Sequence, residues 1–442
     1  MDTHKYLPHT ESDIREMLEV AGVKSLDELY SDVPRQLRLA SGYSLPEGKS
    51  EAEVRKEFRR LADANRHLVC FGGAGVYDHY VPALTDYIAS RSEFLTSYTP
   101  YQAEISQGTL QYIFEYQSMM SALTGMDVSN ASLYDGATAT AEAIMTAVSV
   151  AKKKNRVLLS ATLNPQVARV AATYARFHGV QITTIPEVGG VTDREALRAE
   201  LGKGDVAGVV VPLPNYYGIV EDYSGLAEEV HGAKALLVME CVASDLALLK
   251  TPGEWGADIA VGNAQSLGLP MQGGGSNIGF FCTREAYLRK MPGRIVGATL
   301  DSEGRRAFCL TLQTREQHIR REKATSNICS NEGMLTLHVA IYLSLMGRKG
   351  LCEAATKSFN AAHSLYEKLL ATGKFSKVYD APFFNEFCVA LDGNPEQWEK
   401  LCLEAGFFGG VRIQGTNRFI FAVTELRTEE EIDTLAALAQ KL

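Results

Sequence analysis

Short, uniformly apolar runs alternate with amphipathic stretches through the middle of the chain. Six apolar runs predict strands at residues 156–160, 181–185, 206–211, 235–239, 258–261 and 278–282. Between them, the helical spacing of apolar residues predicts helices at residues 165–178 and 224–231. Apolar strands separated by helices are typical of a mostly parallel sheet that is covered on both faces. We therefore predict an α/β core, with ligands bound beyond the strand ends at Val211, Met239 and Val261.

The first ninety residues have a helical pattern instead. The sequence Ser/Thr-x-x-acid, in which a hydroxyl and a carboxylate cap a helix start reciprocally, begins at Thr10, Ser25 and Ser50. Gly22 is expected to end the first helix. A glycine-rich loop at residues 71–75 follows a helical segment and lacks the spacing of the dinucleotide-binding fingerprint. It therefore predicts a turn rather than a nucleotide site.

The last third of the chain combines long helices with a smaller unit. Its pattern predicts helices near residues 335–347 and 351–370, strands at 385–391 and 419–423, and further helices at 395–405 and 428–442. We accordingly predict three parts: an N-terminal helical arm over residues 1–90, a large α/β domain over 91–315, and connecting helices with a small C-terminal α+β domain over 316–442.

Composition and charge narrow the classes of function. The 442 residues, 46% hydrophobic and 22% charged, suffice for two or three globular cores. A net charge of -9, with no basic cluster longer than residues 152–154, argues against a nucleic-acid partner. No segment approaches the ~20 apolar residues of a spanning helix, so we expect no membrane association and a cytoplasmic location. The scattered cysteines and histidines lack metal-ligand spacing, and we expect no metal site.

Two segments are richer in polar and small residues than turning the chain requires. The tyrosine-rich segment, residues 97–108, combines tyrosines, amides, hydroxyls and a carboxylate. It is equally consistent with a polar ligand wall and with a solvated approach to a helix. Residues 130–142 form a small-residue turn that opens a helix running to about Ala151. The N-terminus of a helix favours a bound anion, whereas the negative charge of Asp135 opposes one. The turn is therefore interpreted either as a phosphate site or as a helix start whose small residues allow close packing.

A third segment, residues 258–270 with glycines at 273–275, follows a predicted strand. At such a strand end, pyridoxal phosphate (PLP) enzymes of the aminotransferase-like fold keep the lysine that forms a Schiff base with the cofactor. This turn contains no lysine, and the nearest ones, Lys250 and Lys290, lie outside it. Covalent attachment of the cofactor at this turn is therefore chemically excluded.

Four segments, taken in order, span nearly the whole chain: the tyrosine-rich segment, residues 123–126 leading into 130–142, 262–275, and 314–329. In this combination the chain resembles the glycine cleavage system P-protein, the decarboxylating glycine dehydrogenase, and in particular subunit 1 of its split form. The resemblance implies the PLP-dependent transferase fold type I, with a large domain and a small C-terminal domain. It also implies an oxidoreductase reaction in which glycine loses CO2 and its aminomethyl group passes to the lipoyl arm of H-protein.

The same resemblance places Gln265 at the Schiff-base lysine position. A second departure is the strand end where this fold presents an aspartate to the pyridine nitrogen, which here has Glu240 and Asp245 on either side of Val242. The resemblance therefore implies that this chain has no cofactor-binding residues. It implies that P-protein subunit 2 binds PLP covalently, in a heterotetramer in which this chain is not active alone.

We expect this chain to complete the active site of its partner. The side chains expected to do so are Tyr98, Thr99, Tyr101, Gln102, Glu104 and Gln107. The basic segment at residues 315–323 is either a docking surface for subunit 2 or lipoylated H-protein, or a solvated helix face. Two other hypotheses stay open: a non-catalytic scaffold or regulatory homologue, and an autonomous PLP enzyme that uses a displaced lysine.

Overall fold

The computed structural model describes residues 6–39, 41–272, 275, 277–313, 317–324 and 326–442. The chain separates into two units, Met1–Arg66 and His67–Leu442. The first unit contains the helices α1 (Glu11–Ala21) and α2 (Glu51–Asp63), with 3-10 helices at Leu26–Tyr30 and Arg35–Leu37. The arm and domain boundaries derived from the sequence stay a prediction.

Two of the three predicted helix caps are present in the first unit. Thr10 and Ser50 each accept a hydrogen bond from the backbone three residues on, and the acid at that position bonds back to the cap. The predicted glycine ends α1 with a left-handed φ of 72°. The cap predicted at Ser25 is wrong, because Glu28 accepts instead from the backbone N–H of Lys24 and a 3-10 helix begins there without a side-chain cap.

The second unit alternates helices and strands along its length. In chain order its elements are β1 (Val69–Cys70), α3 (Ala83–Ala89), α4 (Ser92–Leu95), α5 (Gln107–Thr124), β2 (Val128–Ser129), α6 (Gly136–Ala151), β3 (Arg156–Ser160), α7 (Pro165–His178), β4 (Gln181–Ile185), β5 (Glu187–Val188), β6 (Val191–Thr192), α8 (Arg194–Leu201), β7 (Val206–Leu213), α9 (Leu226–Gly232), β8 (Leu236–Val242), β9 (Ile259–Asn263), β10 (Gly279–Thr283), β11 (Ile295–Leu300), β12 (Arg306–Thr311), α10 (Gln317–Arg320), α11 (Gly333–Ala371), β13 (Phe375–Lys377), β14 (Glu386–Leu391), α12 (Pro395–Glu404), β15 (Phe407–Phe408), β16 (Val411–Arg412), β17 (Arg418–Ala422) and α13 (Glu429–Ala439). Among the described residues, 3-10 helices join some of them at Ala103–Ile105, Ala243–Ala247, Glu285–Lys290 and Arg321–Lys323.

A seven-stranded sheet lies at the centre of the second unit, in the order β2-β10-β9-β8-β7-β3-β4. The strands β9, β8, β7, β3 and β4 are parallel, while β10 runs antiparallel to β9 and β2. All six apolar runs of the sequence are strands of this sheet, so the predicted mostly parallel α/β core is confirmed. Every residue of β7 is buried, as expected for a strand covered on both faces.

Helices cover both faces of this sheet. On one face, α5 and α11 pack through Tyr116 and Val339 against strand residues such as Leu237. On the other face, α6 and α7 pack through Ile144 and Ala171. These two apolar layers fix the carboxyl ends of the parallel strands, where the polar turns of the site begin.

The predicted long helical stretch is α11, which breaks at Gly347. This glycine has φ 56° and ψ -177°, outside the helical region, and separates two helical halves. Beyond it, β13, β14, β17 and β16 form an antiparallel sheet whose apolar core includes Phe387, Trp398 and Phe421. The strands and helices predicted for the C-terminal part are therefore confirmed.

Several elements are missing from the sequence prediction, among them a hairpin and the helix α5. The hairpin of β11 and β12 pairs residues 295–300 with 306–311, and α5 begins inside the tyrosine-rich segment. Among the helices of the described ranges, none is both long and apolar enough to cross a membrane. The described residues also hold no group of three or more His, Cys, Asp or Glu side chains placed to bind a metal ion.

Candidate functional site

The turn after β9 holds Gln265 in a buried and fully bonded position. Its side chain is 1% exposed. The Nε2 atom donates to the backbone oxygens of Tyr77 (3.0 Å) and Leu269 (2.8 Å), and Oε1 accepts from the Tyr77 N–H (3.0 Å). Because each polar atom of the amide has a backbone partner, the side chain ties this turn to the segment around Tyr77.

Neither of the two nearest lysines in the sequence lies at this turn. The Nζ atom of Lys250 is 3.7 Å from the centroid of the Trp255 ring. The ammonium of Lys290 donates to the Ser149 hydroxyl at 3.1 Å. An amide cannot form an imine, so Gln265 cannot bind PLP covalently, and either of these lysines would have to leave its partner to do so.

The N-terminus of α6 carries acids rather than an open anion site. Asp135 caps this helix and accepts the N–H of Thr138 at 2.7 Å. The helix start packs so closely on the end of β9 that a Cβ at Gly136 would lie 2.8 Å from the backbone N of Asn263. Burial and the charge of Asp135 raise the pKa of the nearby Glu332. This charge and this packing disfavour a bound phosphate.

Two carboxyl groups at the end of β8 and just after it have a pKa that is raised by burial. Burial raises the pKa of Glu240 to about 7 and also raises the pKa of Asp245 to about 7. Burial therefore favours the neutral form of both acids, which lie on either side of Val242 in the sequence. Together with Gln265 and the α6 terminus, these residues do not fit a covalently held PLP.

Most of the side chains predicted to complete a partner's site lie together on the surface. Tyr98 is 85% exposed and Tyr101 is 51% exposed. Between the start of the tyrosine-rich segment and the stretch from Ser330 to Met334 lies a cleft of about 160 Å³. We refer to this polar surface as the wall, which consists of Tyr98, Thr99, Tyr101, Gln102 and Glu104.

Gln107, the sixth predicted residue, supports the wall from behind. Its Nε2 atom donates to the backbone oxygens of Ala103 (2.7 Å) and Phe308 (2.9 Å), and its Oε1 atom accepts from the Phe308 N–H (2.9 Å). The polar atoms of this side chain are therefore occupied in pinning β12 to the start of α5.

Arg294, which the sequence reasoning missed, joins the wall to a second stretch of chain. Its guanidinium is buried, with the residue 4% exposed. The Nη2 atom donates to the Tyr101 hydroxyl (2.7 Å) and the Cys329 backbone oxygen (2.8 Å). The Nη1 atom donates to the side-chain oxygens of Ser330 (3.0 Å) and Asn331 (3.3 Å). One sequence feature could have identified this residue: Arg294 is the single charged residue in the mainly apolar and glycine-containing stretch 291–300.

The small-residue turn before α6 meets the same stretch. The backbone N–H of Cys329 donates to the Tyr134 hydroxyl at 3.3 Å, and the N–H of Glu332 donates to the Ser132 hydroxyl at 3.0 Å. Residues 329–332 therefore contact both the wall, through Arg294, and the turn before α6. The structure brings together segments that the sequence presents separately.

The basic segment adjoins the wall on the other side of Cys329. A cleft of about 420 Å³ is lined by Gln317, His318, Arg321, Glu322 and Cys329. The ring of His318 lies 6.2 Å from that of Tyr101, and no residue of α10 or of the 3-10 helix after it is buried. Residues 315–316 of the predicted basic segment and glycines 273–274 lie outside the described residues.

A buried glutamate joins the glycine-rich loop to the C-terminal sheet. Glu386, on β14, accepts from the Ala74 backbone N–H and from the Tyr77 hydroxyl, the latter at 2.9 Å. A side chain at Gly73 would collide with this carboxylate, so only glycine fits there. Burial raises the pKa of Glu386 to about 7, although its two hydrogen bonds lower it. The loop predicted as a turn is therefore also a packing contact.

Comparison with protein families and curated proteins gives matches over the whole chain. The family model of the glycine cleavage system P-protein matches residues 4–439. The probable glycine dehydrogenase (decarboxylating) subunit 1 of Anoxybacillus flavithermus is 47% identical over 440 residues, which cover 98% of this chain and 98% of that protein. The protein of the same description from Moorella thermoacetica is 47% identical over 437 residues, again covering 98% of each.

Solved structures show the same likeness. A glycine decarboxylase (P-protein) of the glycine cleavage system in inhibitor-bound form has a TM-score of 0.90 and 44% identity, over 99% of this chain and 100% of that one. The sphingosine-1-phosphate lyase of Burkholderia pseudomallei has a TM-score of 0.68 at 14% identity, over 92% of this chain and 94% of that one. An alanine–glyoxylate aminotransferase from Nostoc sp. has a TM-score of 0.61 at 16% identity, over 86% of this chain and 96% of that one. The last two are likenesses of fold alone.

Proposed function

The chain belongs to the glycine cleavage system P-protein family and has the PLP-dependent transferase fold type I, and we propose that it is subunit 1 of a two-subunit glycine dehydrogenase (decarboxylating). In this proposal glycine is decarboxylated at the active site of subunit 2, CO2 is released, and the aminomethyl group passes to the lipoyl arm of H-protein. This chain has no activity alone and completes that site across the subunit interface.

The observation that carries this division of roles is the buried Gln265. Its amide is bonded to the backbone of Tyr77 and Leu269 where a covalently bound cofactor would need a lysine. Asp135 opposes a phosphate at the start of α6. In the proposed complex subunit 2 therefore holds PLP, which when bound supplies an electron sink for the reaction.

The wall is the part of this chain that we assign to the reaction. It includes the exposed Tyr98, Gln102 and Glu104 side chains and Tyr101, whose hydroxyl accepts a hydrogen bond from Arg294. In the proposed complex these groups face the active site of subunit 2, where they bind and orient glycine and exclude water. Without subunit 2 this surface is open to solvent, which accounts for the proposed lack of activity of the chain alone.

The basic segment, residues 317–323 of the described chain, is proposed as the docking surface for subunit 2 or for lipoylated H-protein. Its side chains are exposed, and the contact of His318 with Tyr101 places it next to the wall. A partner that binds there is therefore guided to the face that carries the reaction groups. The heterotetramer and the cytoplasmic location stay predictions.

A scaffold or regulatory homologue is the second candidate function. The wall favours the first candidate, since a scaffold needs no exposed cluster of hydroxyls, amide and carboxylate. An autonomous enzyme with a displaced lysine has less support. It would require Lys250 to leave the Trp255 ring or Lys290 to leave the Ser149 hydroxyl, and neither lysine starts from the turn after β9.

The test combines cofactor labelling with activity. The chain alone, subunit 2 alone and the mixture are incubated with PLP, reduced with borohydride and assayed for glycine–bicarbonate exchange with H-protein. We expect reduction to label only subunit 2, and exchange to need both chains. A mixture no more active than subunit 2 alone favours the scaffold. Labelling and turnover by this chain alone favour a displaced lysine and contradict the proposal.

A further inference from the structure

The Arg294 guanidinium is the point at which the two clefts of the site are joined. It lies just before β11 and is buried. Four hydrogen bonds from this guanidinium reach Tyr101 on one side and the stretch from Cys329 to Asn331 on the other. The guanidinium carbon also lies 5.1 Å from the centroid of the Tyr101 ring.

The two clefts lie on either side of this junction. Ser330 and Asn331 line the cleft of about 160 Å³ beside Tyr98, whereas Cys329 lines the cleft of about 420 Å³ beside His318. The position of residues 329–331 therefore sets the shape of both clefts. Arg294 holds these residues and the wall in one fixed arrangement.

The chemistry of this junction requires arginine. The four acceptors named above are a phenol oxygen, a backbone oxygen, a hydroxyl and an amide oxygen. A buried guanidinium needs many well-directed hydrogen bonds. The planar guanidinium donates through Nη1 to Ser330 and through Nη2 to Tyr101 at the same time. A lysine ammonium is a compact point charge on a single nitrogen, so it cannot bridge these two residues with the same geometry.

We propose that Arg294 is a positioning residue for glycine decarboxylation. It acts through Tyr101 and residues 329–331, whose groups it fixes at the face that completes the active site of subunit 2. This inference rests on the proposed function of the chain and adds the residue that holds the wall in its productive geometry.

The test uses the assembled complex with subunit 2 and H-protein. In Arg294→Lys we expect kcat for glycine–bicarbonate exchange to fall about tenfold to a hundredfold, as is typical of small displacements of reaction groups. The KM for H-protein should stay within about twofold, because the docking side chains are unchanged. The double variant Arg294→Lys with Tyr101→Phe should be no slower than Arg294→Lys alone, since Tyr101 acts through the same contact.

Arg284→Lys is the matched control. Arg284 also bridges separate parts of the chain, donating to the backbone oxygens of Ala257 (3.1 Å) and Gly253 (2.9 Å), but it lies outside the wall and both clefts. We expect this variant to leave kcat unchanged.

The outcomes separate this inference from the proposed function. An inactive wild-type complex contradicts the proposed function itself. An active wild-type complex together with a fully active Arg294→Lys complex overturns only the role of Arg294. If Arg294→Lys does not assemble, Ser330→Ala decides, because it removes one acceptor of the guanidinium and leaves the side chains of the wall unchanged. An unchanged kcat in that variant overturns the inference, and a reduced kcat supports it.

Discussion

Gln265 and Tyr77 lie 188 residues apart in sequence and are joined by two hydrogen bonds between the glutamine amide and the tyrosine backbone, each 3.0 Å long. The contact fastens the turn after β9 to the segment that follows the glycine-rich loop. The residue that we predict to stand at the Schiff-base lysine position therefore serves a structural role in this chain.

We expect Gln265→Met to destabilise the chain by about 3 kcal/mol, because it leaves the N–H and oxygen of Tyr77 and the oxygen of Leu269 buried without partners. The free energy of unfolding in urea measures the loss. Gln111→Met is the control, since Gln111 is exposed and bonds only to a neighbouring side chain on its own helix. Equal stability of the two variants would contradict a structural role for Gln265.

Gln265→Lys is expected not to create a cofactor site. The new ammonium can donate to the Tyr77 and Leu269 oxygens that Nε2 bonds in the wild type. Asp135 still opposes a phosphate at the start of α6. Borohydride reduction with PLP, followed by mass spectrometry of the peptide that contains residue 265, tests this. Labelling of that peptide above the wild-type background would show that the lysine alone was missing.

The local patterns of the sequence were sufficient for six of the seven strands of the central sheet and for most of the described helices. Uniformly apolar strands and capping residues act over a few positions, which is why all six runs of the central sheet could be predicted. The cap at Ser25 failed because Glu28, a residue the pattern counts as its partner, bonds to Lys24 instead. A sequence pattern shows which residues can form a capping hydrogen bond, but it does not show which of several possible partners they bond to in the structure.

The site was less predictable because its decisive contacts join distant positions. The Arg294 guanidinium donates a hydrogen bond to the Tyr101 hydroxyl, which is 193 residues away in the sequence. Glu386 accepts one from the Tyr77 hydroxyl, which is 309 residues away. Neither residue lies in a segment of unusual composition. The tyrosine-rich segment was found from its composition, but only the structure separates the exposed Tyr98 from Gln107, whose amide is bonded to β12.

Tyr98→Phe is expected to lower glycine–bicarbonate exchange by the complex about tenfold to a hundredfold, because it removes one hydroxyl from the wall without changing its shape. The exchange rate at saturating glycine and H-protein measures the effect. Tyr87→Phe is the matched control, since Tyr87 is 64% exposed and lies outside the wall. A Tyr98→Phe complex as active as this control would remove Tyr98 from the proposed site.

Gln107→Met is expected to behave differently from the wall variants. It breaks the paired hydrogen bonds with the Phe308 backbone and should cost about 2 kcal/mol of stability, because it leaves these backbone groups unpaired. Unfolding in urea measures the loss, and Gln111→Met again serves as the control. If stability is unchanged and exchange by the assembled complex falls, Gln107 belongs to the reaction surface after all.

Replacing Arg320 and Arg321 together by alanine is expected to weaken assembly with subunit 2 or to raise the KM for H-protein several-fold, because both side chains are on the exposed basic segment. Added salt should reduce the difference from wild type, since surface charges are screened. Lys349→Ala is the control, because the Lys349 side chain is 92% exposed and lies on another helix. No change in either quantity would identify the basic segment as a solvated face.

Stability is expected to depend on pH through Glu386. Its pKa is raised by burial from 4.5 to about 7, so between these values the folded chain keeps a proton that the unfolded chain releases. Stability from this group is therefore complete below pH 4.5 and is lost as the pH rises through about 7. The full effect is on the order of 3 kcal/mol, at about 1.4 kcal/mol for each pKa unit.

Glu386→Gln isolates this contribution. The amide keeps the shape of the neutral acid and can still accept from the Ala74 N–H, so the variant should match wild type near pH 5 and exceed its free energy of unfolding at pH 8 by up to about 3 kcal/mol. Urea unfolding at both pH values measures the difference, with the exposed Glu367→Gln as the control. A variant less stable than wild type at pH 8 would mean that the charged carboxylate, through its bonds to Ala74 and Tyr77, is the form that holds the loop in place.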